Sequence, residues 1–318
     1  MITPVTIEST IYPSRVFKYV VPDRIDILET LTIRFTQPYA LNDPFELQPI
    51  FSQLILDEEF ENDIHPSSPN HHARLASVLE KEYDQQPRKI RRQISLEQFV
   101  ERLLQLDKAD PQAFQDEFDK VVPTFKAGLR LLTPKVRNLY VEELSKIGIL
   151  SLSSEATNPV LWAHYADNGR GFVYEFDATH AFFHSRRSPV DELYHLREVH
   201  YRNRDAVGRS LDDLDGNDIL CTKTKVWAYE AEWRILAPLE QAKKKVTANG
   251  DDVYLFGIPA TALKRVILGA KADSSLAIKI ESILKNRCDL SHVELARIRP
   301  SLETHSMDII SPVNFDPT

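Results

Sequence analysis

Residues 161–177 read Leu-Trp-Ala-His-Tyr-Ala-Asp-Asn-Gly-Arg-Gly-Phe-Val-Tyr-Glu-Phe-Asp, and this stretch decides the predicted fold. Just before it, Asn158-Pro159 has the form of a helix N-cap followed by proline at the first helical position. Asn168-Gly169 suits the left-handed end of that helix. Residues 171–177 then place an aromatic side chain at every second position, as a β-strand does. The stretch therefore predicts a short helix, a tight turn and a strand.

Segments with strand or helix spacing continue on both sides of this stretch. In residues 54–146 Glu, Gln, Lys and Arg become frequent, and the apolar residues take helical spacing. We expect an α+β fold with a mixed, largely antiparallel sheet core from residues 1–53 and 147–300, an all-helical insertion at 54–146 and a C-terminal tail at 301–318. The predicted strands are residues 16–21, 31–36, 147–153, 171–177, 196–201, 226–236, 253–256, 265–268 and 293–298, with a further helix at 274–286.

Composition excludes several classes of protein. The 318 residues are 42% hydrophobic with a net charge of −8, and no segment is basic enough for a nucleic-acid-binding tail. No apolar run approaches the roughly 18–20 residues that span a bilayer, and the first residues lack a signal-peptide pattern. Nine glycines form no phosphate-binding loop, which argues against P-loop and classical dinucleotide folds. Two isolated cysteines favour a reduced, cytoplasmic protein.

Residues 226–235 combine aromatic and charged side chains. As a strand, this segment places Glu230, Glu232 and Arg234 on one face, opposite the tryptophans. Two neighbouring carboxylates can hold one raised and one normal pKa, as an acid–base pair needs. Arg234 could orient a carboxylate or clamp a ligand phosphate. The alternatives are a salt-bridged outer strand face and, in a helix, an i,i+4 ion pair.

Three further segments contain candidate ligand-binding residues. Ser151 and Ser153 share one strand face, where their hydroxyls can bind a ligand or neighbouring strands and water. On the helix before Gly169, His164 is a candidate general base or a structural histidine. Trp162 and Tyr165, three residues apart, can form the floor of a pocket or anchor that helix. Candidates in a predicted Asx-type loop over the pocket are Asn42 and Asp43.

Several ordered motifs carry a resemblance to a known family. The chain resembles the bacterial domain of unknown function 2971 family from about residue 15 to about 290, omitting the helical insertion. The resemblance implies a bacterial or phage-related intracellular protein and supplies no settled activity. The motifs are Phe-Lys-Tyr (17–19), Leu-Asn-Asp-Pro-Phe-Glu (41–46), Leu-Ser-Leu-Ser (150–153), residues 161–172, Trp-Ala-Tyr-Glu-Ala-Glu-Trp-Arg (227–234) and Val-Ile-Leu-Gly-Ala (266–270).

A more remote resemblance is to the ADP-ribosyltransferase superfamily. Its members use an Arg or His on an early strand, a Ser-x-Ser strand and a late Glu or Glu-x-Glu strand. Ser151-Leu-Ser153 and Glu230-Ala-Glu232 match the last two motifs in spacing and order. Lys18 stands where the first motif would have Arg or His, and Arg34 lies on the next predicted strand. The resemblance implies a similar fold and NAD as substrate.

The same resemblance implies roles for individual residues. The two serines would shape the nicotinamide side of the pocket, and Tyr165 or Trp162 would stack on a ring. Glu232 would bind a ribose hydroxyl and stabilise the oxocarbenium-like transition state. Glu230 would activate an acceptor or water.

Three functions follow as hypotheses. The first is an NAD-consuming ADP-ribosyltransferase-like enzyme, a toxin or phage-defence effector, which binds a nucleotide-like small molecule and a protein or nucleic-acid acceptor. The second is a metal-dependent nuclease or hydrolase that uses acidic residues and a histidine, although no metal-type spacing is present and no metal is predicted. The third is a non-catalytic sensor with residues 54–146 as its partner surface. The residues of the second hypothesis are Asp43, Glu46, His164, Glu230 and Glu232.

Overall fold

The chain forms two compact units. The computed structural model describes residues 12–311 except 49–50, 56–70, 189–190, 192, 204–208, 212–213, 215–218, 249–250 and scattered positions between 72 and 85. One unit comprises Met1–Gln48, Val141–Asn203 and Gly216–Thr318, and is called the sheet unit below. The other comprises Pro49–Tyr140 and Arg204–Asp215. The candidate site lies wholly within the sheet unit.

The described part of the sheet unit contains an eight-stranded sheet in the order β13-β12-β11-β4-β1-β3-β8-β5. Neighbouring strands are antiparallel except β11 and β12, which are parallel. The predicted α+β class with a mixed, largely antiparallel sheet is therefore confirmed. The strands are β1 (Arg15–Val20), β3 (Ile147–Ser153), β4 (Phe172–Asp177), β5 (Arg197–Glu198), β8 (Glu232–Pro238), β11 (Leu263–Leu268), β12 (Glu294–Ser301) and β13 (Ser306–Ile310).

Two smaller sheets accompany the large one. The first has the order β2-β10-β9, and its strands are antiparallel. The second is a short parallel pair, β6 with β7. A bridge between Thr36 and Ile149 joins the end of β2 to β3. The bounds are β2 (Thr32–Phe35), β6 (His200–Tyr201), β7 (Thr222–Lys223), β9 (Lys244–Ala248) and β10 (Asp251–Gly257).

Strand β4 lies in the middle of the large sheet and is covered on both faces. Its aromatic face packs in one core cluster with the apolar side of the helix Ser274–Asn286, whose N-cap is Asp273. Val173, on its other face, packs with Leu161 and Trp162 of the helix Pro159–Tyr165. The Asn158 side chain caps this second helix by accepting from Val160 N at 2.9 Å, as the Asn-Pro pair predicts. The unit is thus a sheet with helices on both faces.

In the second unit, the helices include Arg88–Gln93, Leu96–Ala109 and the greater part of Pro111–Leu144. Ser95 N donates to Gln98 Oε1, and Gln98 N donates to Ser95 Oγ, both at 3.2 Å. This reciprocal pair is a capping box, which satisfies two backbone N–H groups at the helix start.

The predicted strand 226–236 is wrong over its first half. Lys225–Glu230 forms a 3₁₀ helix, Ala231 has a left-handed backbone (φ +42°), and β8 begins only at Glu232. Tertiary hydrogen bonds favour this turn, because Asn158 Nδ2 donates to Tyr229 O at 2.9 Å and Ser153 Oγ donates to Glu230 O at 2.6 Å. Trp227 and Trp233 therefore do not share a strand face.

The sheet also extends further than predicted at its C-terminal end. Ser306–Ile310 pairs with β12 as an edge strand, although it lies within the segment 301–318 that was expected to be a tail. Residues 312–318 of that tail lie outside the described residues.

A substitution at Gly171 tests the close packing of β4 against β1. A Cβ atom at this position would lie 2.1 Å from Val20 O and 3.1 Å from Ala166 O, both backbone atoms. Gly171→Ala should therefore lower the free energy of unfolding by about 1–3 kcal/mol, measured by urea denaturation with tryptophan fluorescence. The control is Gly257→Ala, whose Cβ would meet only Lys243 Cδ at 3.7 Å. Equal stability of the two variants would contradict this packing.

Candidate functional site

A cavity of about 210 Å³ lies between β1, β3 and the loop that follows β2. Its wall combines cationic, anionic and hydroxyl groups, which is typical of a site that binds a polar small molecule. The volume is below the roughly 300–1,000 Å³ of pockets that enclose whole drug-sized ligands, so it suits one ring or sugar. The polar lining residues are Lys18, Tyr19, Thr36, Asn42, Glu46, Ser151, Ser153, Tyr165, Lys223, Glu230 and Glu232.

Lys223 lies at the centre of the carboxylates in this cavity. Its Nζ atom is 2.6 Å from Glu230 Oε2, 3.1 Å from Glu232 Oε2 and 3.6 Å from Glu46 Oε1. All four side chains are buried. Burial alone would lower the pKa of Lys223, but Glu232 and Glu230 raise it above its usual value. Lys223 therefore remains an ammonium group at neutral pH and holds the carboxylates together.

Arg234 is the second buried cation. Its Nε and Nη2 atoms donate to the two oxygens of Glu232 at 2.8 and 3.0 Å, and Nη2 also contacts Glu46. Its Nη1 atom donates to Leu220 O at 2.9 Å. The bidentate geometry fixes the plane of the Glu232 carboxylate. The interpretation of this segment as an exposed, salt-bridged strand face is wrong, because the segments carrying Glu46 and Leu220 cover Arg234 completely.

Glu232 is a carboxylate in a dry environment. Burial raises its pKa, whereas the Lys223 charge and the Ser151 hydroxyl oppose that rise. Its register partner on β3 is Ser153. Glu230 has a different pair of neighbours: Oε2 accepts from Lys223 at 2.6 Å, and Oε1 accepts from the Tyr165 hydroxyl. The two carboxylates thus share one cation but have different second partners.

Tyr165 connects the helix Pro159–Tyr165 to the loop after β2. Asn42 Nδ2 donates to the Tyr165 hydroxyl at 2.9 Å, and that hydroxyl donates to Glu230. Burial and the hydrogen bond to Glu230 both raise the pKa of Tyr165, so it stays protonated. The structure therefore brings together Asn42, Tyr165 and Glu230, which are far apart in the sequence.

The two serines take different roles. Ser153 Oγ donates to Glu230 O at 2.6 Å and accepts from Glu155 N at 3.0 Å, so it holds the turn before β8. Ser151 accepts at its carbonyl oxygen from Lys18 Nζ at 2.8 Å, and its hydroxyl faces Glu232.

Other predicted residues lie outside this cavity. His164 is exposed, with Nδ1 3.0 Å from the Tyr229 hydroxyl. Trp162 is buried, donates to Ala156 O at 2.8 Å and packs edge-on against Tyr19, so it anchors its helix. The loop carrying Asp43 is fixed by bonds that its carboxylate accepts from Phe45 N at 2.9 Å and Thr224 Oγ1 at 3.4 Å. Arg34 lies on β2 and lines a separate cavity.

Lys223 is the residue that the sequence did not reveal. It lies in Cys-Thr-Lys-Thr-Lys (221–225), which has no recognisable motif, and the two-residue pair of β6 and β7 places it in the site. Glu46 is the last residue of the predicted loop motif 41–46, and only the hypothesis of a metal-dependent enzyme named it as a candidate site residue.

The carboxylates considered for a metal site face Lys223 instead. Glu46, Glu230 and Glu232 all have an oxygen within 3.6 Å of its ammonium nitrogen. Within the described ranges, no group of three or more His, Cys, Asp or Glu side chains has an arrangement that could hold a metal ion.

Comparison with known proteins supports one of the two resemblances. The family model described as "Protein of unknown function (DUF2971)" matches residues 161–235, so this resemblance is confirmed over the segment that contains Tyr165, Glu230 and Glu232. No curated protein and no solved structure matches the chain significantly. Among the helices that the structure describes, none has an apolar run long enough to cross a membrane.

Arg234 offers a test of the buried network. Arg234→Met should lower the free energy of unfolding by about 3–5 kcal/mol, because it leaves buried carboxylates without a partner. Adding Glu46→Gln should restore part of that loss, with a coupling of at least about 1 kcal/mol in a double-mutant cycle. Arg170→Met, at an exposed ion pair, is the control with a change of less than about 1 kcal/mol. Strict additivity of the Arg234 and Glu46 substitutions would contradict the network.

Lys18 offers a test of the cavity's electrostatics. Burial lowers its pKa to about 8, Glu232 opposes this shift, and Arg24 and Arg34 add to it. Because only the neutral amine reacts with acetic anhydride, the acetylation rate of Lys18 should reach half its maximum near pH 8. For exposed Lys146, whose pKa is raised by its hydrogen bond to Glu143, the midpoint should lie above pH 10.5. Peptide mass spectrometry gives both profiles, and identical midpoints would contradict the shift.

Proposed function

We propose that the cavity is the active site of an enzyme that cleaves the N-glycosidic bond of NAD and transfers the ADP-ribosyl group to water or to an acceptor. One observation carries the proposal: Glu230 and Glu232 line one cavity, beside the Ser-x-Ser strand and the Tyr165 hydroxyl. In this reaction the bond between C1′ and the nicotinamide nitrogen breaks. The bonding electrons leave with neutral nicotinamide, and C1′ acquires positive charge.

Glu232 has the environment that this step needs. A fixed carboxylate stabilises a developing positive charge most strongly where water is excluded and the group does not reorganise. Arg234 holds both Glu232 oxygens, and Lys223 contacts one of them. Lys223 opposes the rise in pKa that burial causes at Glu232, and Arg234 fixes the orientation of its carboxylate. We infer that Glu232 binds the ribose hydroxyls and faces C1′ as nicotinamide leaves.

Glu230 is placed for the second half of the reaction. A nucleophile O–H that adds to C1′ must lose its proton to a base within hydrogen-bond reach. Glu230 lines the cavity, its Oε1 atom accepts from the Tyr165 hydroxyl, and its Oε2 atom accepts from Lys223. We infer that Glu230 accepts this proton, and that Tyr165 and Asn42 orient its carboxylate.

The size of the cavity also supports a nucleotide substrate. A volume of about 210 Å³ suits the reacting ribose or the nicotinamide ring, but not the whole dinucleotide. The remainder of the substrate would then extend beyond this cavity. A protein or nucleic-acid acceptor would make the chain a modifying toxin or phage-defence effector of the cytoplasm, and water would make it an NAD glycohydrolase.

The test is nicotinamide release from NAD, measured by chromatography with protein, RNA, DNA and water as acceptors. Glu232→Gln should lower kcat by about 10²–10³-fold, and Glu230→Gln should lower it by at least about 10²-fold. Glu198→Gln, on the exposed side of β5, should leave the rate unchanged. Circular dichroism checks that each variant is folded. Absence of nicotinamide release and of label transfer with every acceptor would refute the proposal.

A further inference from the structure

A second cavity, of about 250 Å³, lies beside the first. The two share Lys18, Tyr19, Thr36 and Tyr165 in their walls, so they are adjacent. Their charges differ sharply. Three glutamates and two lysines, Lys18 and Lys223, line the first cavity, whereas the ionisable groups of the second are three cations, Lys18, Arg24 and Arg34, and two tyrosines.

Arg34 is the cation whose bonding is incomplete. Its Nε atom is buried, and no described residue accepts a hydrogen bond from it. A buried donor without a partner costs about 1–3 kcal/mol, so such atoms usually have a partner that the protein alone does not supply. The guanidinium group also matches the geometry of a phosphate or carboxylate, to which it donates two parallel hydrogen bonds.

Lys18 and Arg24, the other two cations of this cavity, are close enough to repel each other. Arg24 and Arg34 both disfavour the charged form of Lys18. Lys18 Nζ donates to Ser151 O at 2.8 Å, and Arg24 Nε pairs with Asp26 at 3.0 Å. Asp26 does not line the cavity. An anion placed among the three groups would be attracted by all of them and would relieve their mutual repulsion.

We propose that the second cavity is an oxyanion subsite that binds a phosphate group of a nucleotide whose sugar lies in the first cavity. The assignment of the sugar rests on the proposed function, whereas anion binding by Arg34 does not. Lys18, which lines both cavities, would contact the ligand between its two ends. The ligand would then place its anionic part against the cations and its glycosidic carbon against Glu232.

The probe is inorganic pyrophosphate, titrated by calorimetry at constant ionic strength into the full chain. Pyrophosphate should bind, and Arg34→Gln should weaken it by about tenfold or more, as expected for a lost charge-assisted hydrogen bond. Arg170→Gln, which removes an exposed arginine, is the charge-matched control and should bind normally. If Arg34→Gln does not fold, Arg24→Gln takes its place, because Arg24 is partly exposed.

Further ligands distinguish the source of the anion. ADP-ribose should bind more tightly than pyrophosphate and lose affinity in Arg34→Gln, whereas adenosine should bind both proteins equally. Glu232→Gln should retain pyrophosphate binding, so loss of the NAD reaction and loss of the anion subsite are separable. No pyrophosphate binding at about 10 mM, or equal affinity of the parent chain and Arg34→Gln, would overturn the inference.

Discussion

A single buried ammonium group, that of Lys223, holds the candidate site together. Three glutamates point at it, Glu46 from one part of the chain and Glu230 and Glu232 from another, and each would be expensive to bury alone. Arg234 adds a second buried cation, which donates to both oxygens of Glu232. A hydrophobic cluster of the same volume is often as stable as a buried ionic cluster or more stable. Stability alone therefore gives no reason for these charges, whereas the proposed chemistry at the carboxylates requires them.

The surrounding fold supplies the positions of these groups. Strand β3 pairs with β8 so that Ser153 lies opposite Glu232, and the turn at Ala231 directs Glu230 to the cavity. Two polar side chains, Asn158 and Ser153, hold that turn by binding the carbonyl oxygens of Tyr229 and Glu230. The helix Pro159–Tyr165 ends at the tyrosine that donates to Glu230. Strands β3 and β8 of the large sheet thus position part of the site, and the β6–β7 pair and the loop after β2 add Lys223 and Glu46.

Local sequence patterns predicted local structure well, except where tertiary contacts determine the backbone conformation. The Asn158-Pro159 pair and the alternation in 171–177 gave a helix start and a central strand that the structure confirms. The strand prediction was wrong for residues 226–231, because Ala231 has a left-handed backbone that distant side chains stabilise, and this residue interrupts the apparent strand. The spacing of Glu230 and Glu232 indicated that the two side chains lie close together, as they do. It did not indicate that both side chains are buried. Lys223 enters through a two-residue strand pair, which leaves no periodic signal.

Carboxylates line only the first of the two adjacent cavities, where Lys18 and Lys223 accompany them, whereas the charged groups of the second are all cations, Lys18, Arg24 and Arg34. This separation suits a ligand with an anionic end and a reacting end that becomes positive. The most direct measurement is a crystal structure of Glu232→Gln with NAD bound. The account predicts the nicotinamide ribose in the first cavity, with C1′ within about 4 Å of residue 232 and a phosphate against Arg34. NAD bound elsewhere, with neither Glu230 nor residue 232 in contact with the ribose, would contradict it.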